Sequence, residues 1–418
     1  MPKAHENGAP DRLPIAPWMS APSTRAVIGA LEGRGGPGCA RFVGGCVRNA
    51  LVGRAIDDID IATLLTPDEV MAALTAAGVR YVPTGVEHGT VTAIAGGRPF
   101  EVTTLRRDVE TDGRRAVVAF TTDWGEDAER RDFRLNALYM DEAGLIYDPT
   151  GLGVADALAG RIVFVGDPQQ RIREDYLRIL RFFRFRAWFG RGAPDAAGLA
   201  ACAALKDGLA RLSAERVSKE LLKLLAADDP REAAGEMAEA GVLAAILPEA
   251  RPLDRLRGLV EIERSLHAAD AELRLAALLP DDPEAARAAA HRLRLSNAQR
   301  ERLQAAVPSD PAVGPDMTAA ETRRRLYALG LRAFEDRLQL AWAERGGDPA
   351  AWLALLQLAR AWVRPKFPLT GHDAAAAGLK PGPEVGEALR RAEAFWVEHD
   401  FQPGREALLE KLRRSHGQ

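Results

Sequence analysis

Two short stretches near the start of the chain hold residue types that can bind a metal ion and a phosphate group. Gly44 and Gly45 let the backbone turn sharply, and the helix expected after them offers unpaired N–H groups and the cation of Arg48 to a phosphate. Asp58 and Asp60 alternate with isoleucines, so on a strand both carboxylates share one face, roughly 7 Å apart. Such a pair can hold Mg²⁺ beside a triphosphate.

A third carboxylate follows on a later predicted strand. In the stretch FEVTTLR at 100–106, Glu101 and Thr103 share a face opposite Val102. Beside the aspartate pair, Glu101 would complete a two-metal site and help to remove a proton from an attacking hydroxyl. By itself, each of these features is equally compatible with solvated surface carboxylates.

The stretch RRDFRLNA at 130–137 offers groups for a ribose and a phosphate. If it is helical, Asp132 and Asn136 lie four residues apart on one face, where they can bond ribose hydroxyls, while Arg131 reaches a phosphate. The alternative is ordinary helix-surface charge.

The segment 171–186 has the strongest helical pattern in the chain. Asp175 and Arg178 are three residues apart, and Arg181 and Arg184 continue the row. A carboxylate that accepts from an exocyclic amine and a guanidinium that donates to a ring atom can imitate the pairing edge of a base and select C and A over G and U. The alternative is a surface ion pair, which contributes little to stability.

These motifs require an α/β part followed by a helical part. Strands are predicted at 42–43, 59–62, 90–94 and 100–104, with helices at 23–33 and 67–78. The polar segment 106–127 is predicted to be a mobile loop over a site. From about 167 onward we expect only helices, among them 213–227, 230–241, 254–269, 283–293, 297–306 and 319–329.

Composition limits the class of protein. The chain has 418 residues, 47% of them hydrophobic and 28% charged, with a formal net charge of −3. Any RNA-binding surface must therefore be a local basic patch. Three cysteines without paired spacing argue against a disulfide framework or a structural zinc site. Without a long apolar run or a signal-peptide pattern, we expect a cytoplasmic protein that binds no membrane.

Taken in order, these motifs resemble those of the bacterial class II tRNA nucleotidyltransferases, or CCA-adding enzymes, a group that also contains bacterial poly(A) polymerases. GGCVR at 44–48 and DDID at 57–60 resemble the first motif, and 100–106 resembles the strand of the third carboxylate. RDFRLNA at 131–137 resembles the second motif, EDYLR at 174–178 the base-templating motif, and LSAERV at 212–217 the motif that stabilises the templating helix.

The resemblance implies an α+β fold. A polymerase-β-like nucleotidyltransferase head with a mixed sheet and helices would be followed by an all-α neck, body and tail. We place an extended N-terminal arm at 1–22, the head at 23–150, the neck, which recognises the base, at 151–228, and the body and tail, which bind tRNA, at 229–418.

The resemblance also implies Mg²⁺ as the cofactor and addition of C, C and A to tRNA 3′ ends from CTP and ATP, with no obligate protein partner evident. On this basis the catalytic residues are Asp58, Asp60 and Glu101, and the first two hold the metal ions. The residues expected to bind the nucleotide are Gly44, Gly45, Arg48, Arg131, Asp132, Asn136, Asp175, Arg178, Arg181 and Arg184.

Two residues depart from the family pattern, and several alternatives stay open. Asn49 stands where an aspartate is usual, and Arg134 where a threonine or serine is usual. Poly(A) addition and partial CC- or A-addition are the alternatives within the family. PTGVEHGTVT at 83–92 and the intact stretch DGR at 112–114 favour full CCA addition.

Two alternatives lie outside this reaction. The dipeptides at His372 and His399, each followed by aspartate, could indicate an HD-type metal phosphohydrolase, but neither has an evident companion, so surface dipeptides are the preferred interpretation. An inactive RNA-binding relative would lack one of the metal carboxylates, and all three candidates are present.

Overall fold

The computed structural model of the protein describes residues 10–111, 116–307, 313–379 and 382–416. The chain forms two compact units, Met1–Pro248 and Glu249–Gln418. Strands are confined to the first unit, as far as the structure describes the chain. No helix in the described ranges is long and apolar enough to cross a membrane.

The first unit is built on a mixed seven-stranded sheet. Its strands, and the two strands of a separate hairpin, are β1 (Ala40–Val43), β2 (Asp60–Thr63), β3 (Arg80–Gly85), β4 (Thr90–Ala95), β5 (Arg98–Thr104), β6 (Arg106–Thr111), β7 (Ala116–Phe120), β8 (Tyr139–Met140) and β9 (Ile146–Tyr147). The sheet order is β3-β4-β5-β2-β1-β8-β9, and β6 pairs with β7. Only β2 and β5 run parallel among the paired strands described. The predicted mixed sheet is confirmed.

Helices of the first unit cover the sheet and continue beyond it. They are α1 (Pro17–Ser20), α2 (Pro22–Gly35), α3 (Gly45–Leu51), α4 (Pro67–Ala76), α5 (Trp124–Glu129), α6 (Gly153–Ala159), α7 (Pro168–Glu174), α8 (Leu177–Phe189), α9 (Ala196–Leu205), α10 (Ala214–Leu225), α11 (Arg231–Glu239) and α12 (Val242–Ile246). Short 3₁₀ helices lie at Val86–His88, Arg134–Asn136 and Lys206–Arg211.

The second unit is helical throughout its described residues. Its helices are α13 (Asp254–Leu266), α14 (Ala271–Ala277), α15 (Pro283–Arg292), α16 (Asn297–Ala306), α17 (Ala319–Leu329), α18 (Leu331–Arg345), α19 (Pro349–Ala361), α20 (Gly371–Ala376), α21 (Pro383–Glu398) and α22 (Arg405–His416). The predicted helices at 254–269, 283–293, 297–306 and 319–329 are confirmed as α13, α15, α16 and α17.

Local chemistry explains why the predicted boundaries of α4 are close to the observed ones. Thr66 and Glu69 form a reciprocal capping box, and Pro67 occupies the first turn, where a missing N–H costs nothing. Ile59, just before β2, and Ile61 within it are 1% and 0% exposed, so alternation directs the aspartates to the other face. Predicted strands at 42–43, 59–62, 90–94 and 100–104 correspond to β1, β2, β4 and β5.

Two sequence predictions for the part of the chain before residue 128 are wrong. The arm expected to be extended over 1–22 contains α1, and α2 begins at Pro22; Trp18 of α1 docks on Phe42 with ring centroids 4.8 Å apart. The loop expected at 106–127 contains β6, β7 and most of α5, because the chain pairs with itself as a hairpin. Its centre at 112–115, which includes the DGR stretch, lies outside the described residues.

A buried ion pair ties α13 to α14 in the second unit. Glu263 Oε2 lies 2.5 Å from Arg274 Nε, and both side chains are 1% exposed. Glu263→Ala removes the carboxylate that faces a buried guanidinium, and we expect the free energy of unfolding to fall by about 3–5 kcal/mol. Urea denaturation of the full chain measures this.

The matched control is Glu284→Ala. Glu284 pairs with Arg287 on an exposed helix face, where the side chains are 72% and 62% exposed, and its loss should cost less than about 1 kcal/mol. Equal effects of the two variants would contradict the assigned difference in burial.

Candidate active site

The glycine turn joins β1 to α3. Gly44 has φ +70°, a conformation that favours glycine, and its N–H donates to Leu138 O at 3.0 Å. Gly45 is the first residue of α3, and a Cβ there would lie 3.8 Å from Arg48 Nη2. The turn therefore sets the guanidinium of Arg48 directly beside the glycines.

The carboxylates meet where β2 and β5 begin their parallel pairing. Asp60 is opposite Glu101 in the register, and Asp58 immediately precedes the strand. Burial, followed by repulsion from Glu101 and Asp58, raises the pKa of Asp60 to about 6, against a weaker opposing effect of Arg131 and Arg48. Asp60 is half-buried, while Asp58 and Glu101 are exposed. Asp60 therefore feels the negative charge of both neighbouring carboxylates, which the two arginines offset only in part.

Arg131 is fixed by a buried carboxylate that the sequence analysis missed. Asp127 is 1% exposed and accepts from Arg131 Nη2 at 2.8 Å, from Arg130 Nη2 at 2.7 Å and from the Tyr139 hydroxyl at 2.7 Å. Burial opposes ionisation, but the two arginines outweigh it and hold the pKa of Asp127 well below its usual range. Asp127 orients Arg131 toward the glycine turn, where its Nη1 would lie 3.7 Å from a Cβ on Gly44.

Asp132 and Asn136 do meet, though not on the predicted helix. Phe133 is extended and bridges Phe164, and a 3₁₀ turn follows at Arg134–Asn136. The turn brings Asn136 Nδ2 within 3.1 Å of Asp132 Oδ1. Asp132 Oδ2 accepts from Arg181 Nε at 2.6 Å, which joins this segment to α8.

The predicted continuous helix over 171–186 is wrong. It is interrupted at Asp175, whose φ of −151° is extended and whose carboxylate accepts from Leu177 N at 3.0 Å. A short side chain whose oxygen accepts from the N–H two residues ahead competes with the backbone hydrogen bonds of a helix. The helix therefore stops at this point, and a new helix, α8, begins after it.

The expected base-reading pair does not come together in this structure. Asp175 Oδ2 accepts from Arg216 Nη2 at 2.7 Å, whereas Arg178 contacts Glu174 and donates to Arg130 O at 2.8 Å and to Arg171 O at 2.8 Å. Arg216 belongs to the LSAERV motif.

A cavity of about 490 Å³ lies between the glycine turn and α8. The expected site residues that line it are Gly44, Gly45, Arg48, Asp60, Arg131, Asp132, Asn136, Arg181 and Arg184. Asp58, Glu101, Asp175 and Arg178 are not among its lining residues. The cavity is therefore strongly cationic, with the carboxylates of Asp60 and Asp132 also in its lining.

Several lining residues escaped the sequence analysis. Phe185 and Phe189 stack on arginines: Arg48 lies 4.1 Å from the ring of Phe189, and Arg184 lies 4.4 Å from that of Phe185. Lys223 of α10 also lines the cavity. The alternation of arginine and phenylalanine along 181–189 was the available signal, because i, i+3 and i, i+4 neighbours share a helix face.

An oxygen-rich metal site fits the carboxylates in kind. In the described parts of the chain, no three His, Cys, Asp or Glu side chains lie close enough to hold a metal ion. Magnesium commonly uses one or two carboxylates and takes its other ligands from water and phosphate, so the aspartate pair suffices.

The side chains of the His–Asp dipeptides form hydrogen bonds and ion pairs with other residues of the chain. Asp373 caps α20 through Thr370 and pairs with Arg405, and Asp400 pairs with Arg323. His399 Nδ1 lies 2.8 Å from Phe395 O, one turn earlier. These contacts agree with the interpretation as surface dipeptides.

Known proteins resemble the chain over most of its length. A family model described as "Poly A polymerase head domain" matches residues 40–163, and one described as "Probable RNA and SrmB- binding site of polymerase A" matches 195–253. "CCA tRNA nucleotidyltransferase 1, mitochondrial" of Mus musculus is 33% identical over 410 residues, 90% of this chain and 86% of that protein.

Bacterial relatives agree. A CCA-adding enzyme of Geobacillus thermodenitrificans is 41% identical over 208 residues, 49% of each chain. The crystal structure of the Bacillus stearothermophilus CCA-adding enzyme in complex with CTP aligns with a TM-score of 0.77 at 30% identity, covering 95% of this chain and 98% of that one.

The carboxylate cluster yields a prediction about titration. Glu101→Gln removes a negative charge that disfavours ionised Asp60, so the pKa of Asp60 should fall from about 6 toward its ordinary value. Carboxyl-carbon NMR titration of the metal-free protein measures the shift. Glu87→Gln, on an exposed residue outside the cluster, serves as the control, and an unchanged pKa in Glu101→Gln would contradict the coupling.

Proposed function

The chain belongs to the family of CCA-adding tRNA nucleotidyltransferases, and from this premise we propose that it adds C, C and A to the 3′ end of tRNA, using CTP and ATP and no nucleic-acid template. The observation that supports the proposal is that the glycine turn, Asp60 and arginines of α8 line the same cavity. Members of this family generally depend on divalent metal ions.

We assign the metal-holding role to Asp58 and Asp60, with Mg²⁺ as the ion. Their like charges and the raised pKa of Asp60 support this, since a bound cation relieves the repulsion. Mg²⁺ held there would supply Lewis-acid chemistry: it would lower the pKa of the attacking 3′-hydroxyl and neutralise charge on the leaving pyrophosphate. Glu101 assists by accepting the hydroxyl proton.

The cations of the cavity bind the triphosphate. Gly44 and Gly45 allow close approach, and Arg48 and Arg131 donate to phosphate oxygens. Asn136 and Asp132 bond the ribose hydroxyls. Their current hydrogen bonds hold the groups in position before the nucleotide arrives, which lowers the entropic cost of binding.

Base selection is assigned to Asp175 and Arg178, with Arg181 and Arg184 nearby. Asp175 accepts from the exocyclic amine of cytosine or adenine, and Arg178 donates to a ring atom. Both side chains have protein partners in the present structure, so recognition requires each to exchange its partner for the base edge.

Incorporation with each single nucleoside triphosphate tests the proposal. Three tRNAs that end before CCA, after C and after CC are incubated with Mg²⁺, alongside an unrelated oligo(A). The expected result is CTP used twice and ATP once, followed by a stop. Open-ended ATP addition to oligo(A) would instead indicate a poly(A) polymerase, and a stop after CC a partial enzyme.

The cytoplasmic location stays a prediction.

Loss of either aspartate should abolish incorporation. Asp58→Ala or Asp60→Ala removes a metal ligand worth several kcal/mol of transition-state stabilisation, so the rate should fall by at least about 10³-fold, while tRNA binding stays within about twofold. Single-turnover kinetics and filter binding measure the two quantities. Asp68→Ala, on an exposed residue of α4, is the control, and retained turnover in either variant would refute the assignment.

Asp175→Ala should relax base choice instead of stopping the reaction. Without the acceptor for the exocyclic amine, UTP and GTP should gain relative to CTP and ATP by about tenfold, since one good base contact contributes about 1–3 kcal/mol of discrimination. Competition assays measure the ratio. Asp207→Ala, on an exposed residue, is the control, and unchanged discrimination in Asp175→Ala would remove the templating role.

A further inference from the structure

Arg48 is a buried cation, and among the described residues its guanidinium donates hydrogen bonds to two uncharged side chains. Its Nε and Nη2 donate to Asn49 Oδ1 at 3.2 and 2.9 Å, and its Nη1 donates to Asn136 Oδ1. The residue is 8% exposed, and no carboxylate in the described part of the chain forms an ion pair with it. Amide oxygens hold the guanidinium in place but leave its charge unneutralised.

The groups that surround Arg48 make the binding of an anion beside it more favourable. Burial, together with repulsion from Arg184 and Arg181, lowers the pKa of Arg48 to about 10, although Asp132 opposes this. The group therefore stays cationic at neutral pH. Asp132 also accepts a hydrogen bond from Arg181, so its negative charge is shared between Arg181 and Arg48. Burying a charge without a counter-ion is costly, and the open side of Arg48 is the cavity.

Asn49 is locked in the orientation that this arrangement needs. Its Nδ2 donates to Ala55 O at 2.8 Å, and its backbone carbonyl accepts from Arg54 N at 2.9 Å. Because the amide nitrogen is committed to a carbonyl, the oxygen must face Arg48. Asn49 is also one of the residues lining the cavity.

We propose that Asn49 is a positioning residue that orients Arg48 without neutralising it, and so sets the affinity of the enzyme for the triphosphate and for the pyrophosphate product. In the same orientation, an aspartate here would present one charged oxygen to the same Nε and Nη2 atoms and would compete with phosphate for Arg48. With asparagine at this position, the charge of Arg48 stays available to phosphate groups. The inference rests on the proposed function, because it takes the anion to be the nucleotide.

The test compares Asn49→Asp and Asn49→Ala in the full chain. Calorimetry with inorganic pyrophosphate gives Kd, and steady-state kinetics give KM and kcat for CTP and ATP. If charge matters, Asn49→Asp raises the Kd about tenfold or more and raises KM more than it lowers kcat, because a new negative charge sits within hydrogen-bond distance of Arg48. Asn49→Ala, which loses the acceptor but adds no charge, should have an intermediate Kd.

The opposite order would overturn the proposal. If only the hydrogen-bond geometry mattered, Asn49→Asp would match the wild type and Asn49→Ala would bind pyrophosphate most weakly. Asn297→Asp is the matched control, since Asn297 is an exposed asparagine that also accepts from an arginine, Arg300, and its pyrophosphate Kd should not change.

The experiment separates this inference from the proposed function. Failure of the wild-type chain to add CTP and ATP to tRNA would refute the function, whatever the order of the pyrophosphate Kd values. Normal incorporation by the wild type with an unchanged Kd in Asn49→Asp would refute only the role of Asn49.

Discussion

One buried carboxylate, that of Asp132, connects the sheet part of the site to the helical part. It accepts from Phe133 N at 2.8 Å, from Asn136 Nδ2 at 3.1 Å and from Arg181 Nε at 2.6 Å. Burial opposes its ionisation, but Arg181 and the hydrogen bonds prevail and lower the pKa of Asp132 to about 2. A charge held this firmly fixes the position of α8 relative to the glycine turn, and residues of both elements line the cavity.

Charges around the cavity are unbalanced in two opposite ways. Asp60, beside Glu101 and Asp58, has a raised pKa because it is buried near like charges, and Arg48 has a lowered pKa because it is buried near Arg184 and Arg181. The first imbalance calls for a cation and the second for an anion. A metal-bound nucleoside triphosphate supplies both, so one ligand resolves the electrostatic cost of both halves of the site.

Structural features that depend on interactions between neighbouring residues can be predicted from the sequence, and features that depend on distant residues cannot. The limits of α4 follow from a cap and a proline, and the two faces of β2 follow from alternation. The interruption at Asp175 was missed because helical periodicity continues through it, whereas a single side-chain bond to Leu177 N stops the helix. The β6–β7 hairpin differs from the predicted loop because β6, with the sequence RRDVET, lacks an apolar pattern, and its pairing with β7 joins two separate segments.

The sequence by itself determined which kinds of residue form the site, that the head has a mixed sheet and that the remainder is helical. Glycine turns, strand alternation and helix caps act over a few residues, so they can be recognised from the sequence. Only the tertiary structure decided which of these residues share a cavity, that Asp127 orients Arg131, and that Asn49 and Asn136 hold Arg48. The reason is physical: burial, pKa and charge balance depend on neighbours that lie far away in the sequence, and the sequence does not specify their distances.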